Sequence, residues 1–379
     1  MKIDSPMLIS LTTSDCPKFK ETSFVLISML FVVYFLLSVS PVSAQTPDTG
    51  RTEGQAGLPA DTGLRLVTSP LPINLVTEPG KTITTELKVK NGGTSPETLK
   101  IDLMKFKAYE ESGKPQLLER ELSDDFLNWV TFSEENFTIA PDEWKTITAT
   151  FIIPPTAAFS YYYALVFSRA EEIKPLDANQ TALVGGTAVL VLLEARVPGA
   201  KREVTVTEFS TDKKFYEFLP TTFSIKLKNT GNVHIAPRGN IFIDQGNTHD
   251  IAILEVNSEK GNVLPASSRV FDAVWHDGFP RYTAKVQDGK AMLDEQSNPV
   301  LELTWDWNDA SKLRFGKYTA KLLLIYDDGQ RDIPIEGEVS FWVVPWRLIG
   351  VTLLNFVLII GLILYVIRLR RRLKKIEQV

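Results

Sequence analysis

One cysteine serves the whole chain, Cys16, close to the N-terminus. If the segment around it is removed as a leader, the remaining protein has no thiol. Disulfides, Cys-ligated metal sites and a cysteine nucleophile are then excluded. Cys16 also lacks the preceding apolar run of a lipoprotein acceptor. Histidine is nearly as scarce, with only His234, His249 and His276. None stands in HExxH or another close pair, so a His-based metal site would need distant loops, and all three read as surface or loop residues. Gly-x-Ser-x-Gly and Gly-x-x-x-x-Gly-Lys are missing, which removes the common hydrolase elbow and phosphate loop. A basic excess is missing too. The chain has 41 Lys+Arg against 46 Asp+Glu and a net charge of −5, which argues against a nucleic-acid partner.

What is present organises itself around Leu348–Ile367, about twenty uncharged residues, enough for a helix to cross the roughly 30 Å hydrocarbon core of a bilayer. Trp346 and Arg347 flank one end, and Arg368, Arg370, Arg371, Arg372, Lys374 and Lys375 crowd the other. Such a block is a topology anchor, so the tail is predicted to be cytoplasmic and the chain before Trp346 outside. A buried core helix rarely carries a charge block on one end only, and a basic run beside a span needs no nucleic acid to explain it. At the other end, Lys18 and Lys20 precede the apolar run Phe24–Val39, and Val42-Ser43-Ala44 offers small residues for cleavage after Ala44. An uncleaved anchor or a start at Met7 would still export the middle of the chain. An exported chain without disulfides points to a bacterial or archaeal envelope.

The 379 residues are enough for two or three domains, and 44% hydrophobic content with 21 Phe and 7 Trp supports large cores. Residues 45–63 are rich in Gly, Thr, Pro and Asp and read as a flexible lead-in. From Leu64 short alternating runs follow, broken by Gly, Pro and Asn. In Lys145–Ile153, for example, Ile147, Ala149, Phe151 and Ile153 share one face. Ser123–Trp129 reads as a short helical turn. The pattern then recurs. Ile225–Gly231 repeats Leu87–Gly93, the run from Pro265 to Trp275 repeats that from Pro141 to Phe151, and Tyr318–Leu322 answers Tyr162–Leu165. The expectation is an all-β chain of two tandem Ig-like β-sandwiches, residues 64–197 and 198–345, with a boundary near Val197-Pro198-Gly199. A signal peptide (1–44) precedes them, and a transmembrane helix (346–367) and basic tail (368–379) follow.

Few residues suggest chemistry. The acid pairs Asp124-Asp125, Glu134-Glu135, Glu171-Glu172 and Asp327-Asp328 read as solvated loop residues, the last as a hairpin turn with Gly329. Asp306, Asn308 and Asp309 start like a calcium loop, but Ser311 and Lys317 stand where Gly and Glu are required. No catalytic residue, cofactor or metal is therefore assigned. Trp305 and Trp307 would share a strand face with Leu301 and Leu303. Exposed, they would stack on a sugar; the continuous apolar face favours core. In Tyr161-Tyr162-Tyr163 alternate rings must face opposite ways, so Tyr161 and Tyr163 join Trp305 and Trp307 as candidates for a contact patch.

The turns Glu78-Pro79-Gly80, Lys90-Asn91-Gly92, Asn229-Thr230-Gly231-Asn232 and Leu264-Pro265-Ala266-Ser267-Ser268, followed by a span and an Arg-rich tail, resemble the WxL-interacting proteins. The resemblance runs from about Leu64 to Lys375. It implies a bacterial cell-surface protein with a membrane-distal domain binding peptidoglycan and a membrane-proximal one binding surface partners. The expected function is a non-enzymatic, membrane-anchored scaffold presenting two Ig-like domains to a cell-surface protein or cell-wall glycan. The alternative is an accessory subunit of a membrane export, pilus or sensor complex; a hydrolase of envelope polymers is a third reading.

Overall fold

Period-two alternation builds two sets of strands in the computed structural model, which describes residues 64–170, 185–287 and 289–376. The expected leader, the lead-in and Glu171-Glu172 lie outside the described residues. The first set comprises β1 (Leu66–Ser69), β2 (Ile73–Thr77), β3 (Thr82–Asn91), β4 (Glu97–Tyr109), β5 (Lys114–Leu118), β6 (Val130–Phe132), β7 (Asn136–Ile139), β8 (Trp144–Ile152), β9 (Phe159–Arg169) and β10 (Gly186–Ala195). One sheet is ordered β1-β3-β8-β6 and the other β2-β10-β9-β4-β5, with β7 on the start of β4. Ile147, Ala149 and Phe151 of β8 are fully buried against Tyr163, Leu165 and Phe167 of β9 and Val189, Val191 and Leu193 of β10. Ser123–Trp129 contains a 3-10 turn, Asp125–Trp129, whose Leu127 plugs the same core.

The second set comprises β11 (Val204–Thr211), β12 (Phe215–Tyr216), β13 (Thr221–Asn229), β14 (Arg238–Gln245), β15 (Thr248–Val256), β16 (Ser268–Trp275), β17 (Arg281–Ala284), β18 (Val286–Gln287), β19 (Lys290–Ala291), β20 (Leu301–Thr304), β21 (Gly316–Asp327) and β22 (Asp332–Val343). Its two main sheets run β11-β13-β16 and β12-β22-β21-β14-β15, the order of the first set without counterparts of β6 and β7, and β17-β20 and β18-β19 form two small further sheets. The opening strand is divided between sheets in both. β1 pairs antiparallel with β3 while β2 pairs parallel with β10; likewise β11 pairs with β13 and β12 with β22. The fold is all-β, built of Ig-like sandwiches. Trp275 anchors the second core, its ring 5.3 Å from Tyr318 and 6.1 Å from Phe341.

The repeated Lys-Asn bend is the same structure twice. Asn91 and Asn229 end β3 and β13, and both side chains are fully buried. Asn91 Oδ1 accepts from Gly93 N at 2.8 Å, while its Nδ2 donates to the carbonyls of Ser95 and Ile139. Asn229 Oδ1 accepts from Gly231 N at 2.8 Å, and its Nδ2 donates to Val233 and Val263. Each amide therefore bridges its own bend to the neighbouring segment and donates to two backbone carbonyls; of these, Val263 O also accepts from Ile235 N at 3.1 Å. Asp327–Asp332 closes the β21–β22 hairpin, with Asp328 N donating to Arg331 O at 3.0 Å.

After β22 comes one long helix, α1 (Trp346–Ile376), 31 residues. Its apolar stretch has a mean hydropathy of 2.6 and none of it is buried, so it is long and apolar enough to cross a membrane.

Replacing Asn229 by Ala strips one acceptor and two donors from a buried site and takes a donor from Val233 O and from Val263 O, the latter keeping Ile235 N. We expect a loss of about 3 kcal/mol, with a similar loss for Asn91→Ala. Urea unfolding of the full chain in detergent micelles would measure both; a loss below about 1 kcal/mol would mean that water replaces the amide at no cost.

Candidate binding surface at the sandwich junction

β9 and β10 read as continuous apolar runs, and the structure shows why. One face enters the first core; the other carries Tyr162, Ala164, Val166, Leu190 and Leu192, joined by Met104, Phe106 and Ala108 of β4 and by Leu264 from the second sandwich. A sheet apolar on both faces must be covered on both. The second sandwich supplies the cover. The tip of the β4–β5 hairpin lies on the edge of β16, where Val270 N donates to Glu111 O at 2.8 Å and Lys226 meets the Glu111 carboxylate at 2.6 Å. The Glu194 carboxylate of β10, 4% exposed, is bound by Arg202.

Where this contact is incomplete, a cavity of about 330 Å³ remains. Its walls are largely apolar: Leu71, Pro72, Phe106, Ala188, Leu190 and Leu264. Its charged lining residues are Lys107, Lys114, Glu259 and Arg269, the last at the start of β16. The guanidinium lies over the Phe271 ring at 4.8 Å, and Nη1 donates to Asn262 O at 2.9 Å. No carboxylate pairs with it among the described residues; Asn262 O and the ring are its partners. Burial holds its pKa below the ordinary arginine range, with the charge of Glu259 acting the other way. Two glycines leave it room. A Cβ on Gly113, where φ is +71°, would come within 2.2 Å of Nε, and one on Gly261 within 2.5 Å of Nη2. A cationic fork is thus framed by backbone from both sandwiches and faces an apolar hollow. Sequence reasoning missed Arg269, because nothing beside it in the chain marks it; Gly113 is far away in sequence.

The expected contact patch divides. Tyr163 is fully buried and Tyr161 packs on Phe126 and Trp129 at 5.6 and 4.7 Å, so both belong inside the first sandwich. Their place in a contact patch is corrected: period two sends them to the core face and Tyr162 to the junction. Trp305 and Trp307 go the other way. β20 stops at Thr304 and a 3-10 helix starts at Trp307, so the strand face shared with Leu301 and Leu303 does not continue. Trp305 is 41% and Trp307 73% exposed, stacked at 5.9 Å and leaning on buried Phe279 at 5.6 and 5.3 Å. The expectation that they are core is corrected: they form a surface platform.

His234 lies in a loop, as one of the two expected readings has it, but that loop packs into the junction instead of standing on the free surface. Its Nδ1 lies 3.3 Å from Ser160 Oγ and its ring edge-on to Tyr162 at 5.9 Å. Burial pushes its pKa down to about 4, with Glu194 opposing and Arg202 reinforcing the shift. His249 Nδ1 is 3.0 Å from Asp244 Oδ2, while His276 is exposed on a loop. Asp306 caps the 3-10 helix, its carboxylate accepting from Asn308 N at 3.1 Å. Arg368, Arg370, Arg371 and Arg372 are exposed on the last turns of α1, and Lys374 and Lys375 continue that helix.

No family model and no curated protein matches the chain. Solved structures do. The class 5 fimbriae chaperone CfaA aligns at a TM-score of 0.33 and 12% identity, covering 74% of this chain and 100% of that one. The YadV chaperone gives 0.30 and 11%, over 73% and 99%. The E. coli chaperone DraB gives 0.29 and 13%, over 73% and 98%. At such scores the likeness adds nothing to the account of the site.

His234 makes the junction sensitive to acid. A buried neutral histidine binds its proton later in the folded than in the unfolded state, so stability is complete above about pH 6.5 and falls toward pH 4, where the folded side chain protonates. The full drop is about 3 kcal/mol. Chemical denaturation at pH 7 and pH 4 should show it, and His234→Gln should remove most of the difference. Equal pH dependence in the two proteins would exclude His234 as the cause.

Proposed function

We propose that this chain is a single-pass membrane protein that holds its two sandwiches, locked together, on the outer side and binds a segment of another envelope protein at their junction, without catalysing a reaction. The half-buried guanidinium of Arg269, unpaired with any carboxylate among the described residues and set in a largely apolar hollow, carries this reading. Glu259 acts on the guanidinium only through space, and a guanidinium out of water with no carboxylate in contact is costly, so a ligand carboxylate is favoured there. The Leu, Ala, Pro and Phe walls suit apolar side chains. A neutral glycan would call for several aromatic platforms, amides and carboxylates, whereas this lining holds one ring, Phe106, one amide, Asn262, and one carboxylate, Glu259. The matched ligand is therefore a peptide with an acidic group next to an apolar residue.

α1 supplies the anchor, and the Arg-rich end sets its direction, with the tail inside. This agrees with the resemblance to WxL-interacting proteins and chooses a protein partner over peptidoglycan for the junction. Tethering raises the local concentration of the site near the membrane, so modest intrinsic affinity suffices.

The test is selection of displayed peptides on the full chain in lipid nanodiscs. Selected peptides should share an acidic residue beside an apolar one. Arg269→Ala should weaken them by about 10- to 100-fold, the worth of a charge-assisted hydrogen bond, with Arg269→Lys in between. Peptides without an acidic residue, or binding indifferent to Arg269→Ala, would refute this reading.

A further inference from the structure

The root of α1 is fastened to the second sandwich rather than hung from it. Only Val344 and Pro345 separate β22 from the helix. Val344 N donates to Tyr216 O at 2.7 Å, and Arg347 Nε lies 3.5 Å from Glu217 Oε2, a carboxylate whose side chain is 4% exposed. The Tyr282 hydroxyl reaches the same Glu217 oxygen at 3.4 Å. Tyr282 pairs with Leu303 and Arg281 with Thr304 in the β17–β20 ladder, and the next residue is Trp305. The exposed Trp305–Trp307 platform thus stands beside the point where the helix leaves the sandwich.

Other large apolar side chains gather at this end. Phe215 pairs with Trp342 next to the end of β22, and Phe315 precedes Gly316, the partner of Val343. All three side chains are exposed, as is Trp346 at the first position of α1. Polar groups between them are already satisfied. Lys312 meets Asp277 at 2.8 Å and Asp309 at 2.9 Å, and Arg314 meets Asp277 at 2.7 Å. Rings set among paired charges suit the boundary between water and hydrocarbon, where indoles concentrate, and not the interior of the bilayer.

We infer that this end of the second sandwich rests on the outer surface of the bilayer its own helix enters, with Trp305 and Trp307 in the phospholipid headgroup layer. The occupant follows from continuity: α1 brings the lipid surface to the platform's edge. This rests on the reading of α1 as a span. It also fixes a height. Trp275 lies at the membrane end of β16 and Arg269 near the other, a separation of roughly 20 Å along the strand.

The experiment uses the full chain with Cys16→Ser in phosphatidylcholine vesicles and one fluorescent label at Trp307→Cys, Phe356→Cys or Leu122→Cys. Phe356 lies within α1, and Leu122 is fully exposed on the first sandwich. Lipid nitroxides at the headgroup or at mid-chain act as quenchers. The label at 307 should be quenched about twofold or more by the headgroup nitroxide and little by the mid-chain one, that at 356 by the mid-chain one, and that at 122 by neither. Quenching at 356 with none at 307 would overturn this inference and leave the anchor standing. No quenching at 356 would overturn both. Protection of 307 by added glycan or protein, without lipid quenching, would equally reject a lipid surface.

Discussion

The architecture depends on a sheet that has no polar face. β9 and β10 bury residues on both sides, so the first sandwich is incomplete until something lies on the outer face of its six-stranded sheet. Leu264, Ala164, Leu192 and Phe106 close that face, and polar contacts surround the patch: Glu111 with Val270 and Lys226, Glu194 with Arg202, Ser160 with His234. Apolar area taken out of water stabilises by about 25 cal/mol per Å², so this patch favours the two modules in contact. The junction cavity is what is left where the two curved surfaces do not meet, and Arg269 stands in it because glycines on both sides leave space.

The fold was largely legible in the sequence because its determinants are local. Ile147, Ala149 and Phe151 alternate within one strand, and the alternation alone predicts their common face. The two Lys-Asn bends could be matched because a buried Asn that caps its own turn needs Gly two positions on, at Gly93 and at Gly231. The continuous runs in β9 and β10 also held a clue to the junction, since a strand without polar positions is covered twice.

The site was not legible, for a reason of the same kind. Trp305 and Trp307 were placed on a strand by extending the pattern of Leu301 and Leu303, but the ladder with β17 ends at Thr304 and the chain turns into a 3-10 helix capped by Asp306. Tyr161 and Tyr163 were offered as surface because the sequence cannot say which face of a doubly apolar strand enters which core. His234 and Arg269 matter through what a distant part of the chain lays beside them: Tyr162 and Ser160 for the histidine, Gly113 for the arginine.

The carboxylate of Glu217 bears on why the helix is rooted. A buried acid is costly unless paired, and a surface position for the same residue would have been free of that cost. Here it takes Arg347 from the first turn of α1 and Tyr282 from β17, so the helix, the β17–β20 ladder and the segment after β12 share one charge. Losing either contact takes a polar partner from a carboxylate that water scarcely reaches. A flexible tether would let the sandwiches tumble over the membrane and spread the binding cavity through a volume; a shared buried charge keeps α1 and the second sandwich in a fixed relation. On the proposed reading of α1 as the anchor, the junction carries that relation on to the first sandwich, with the cavity at one height above the bilayer.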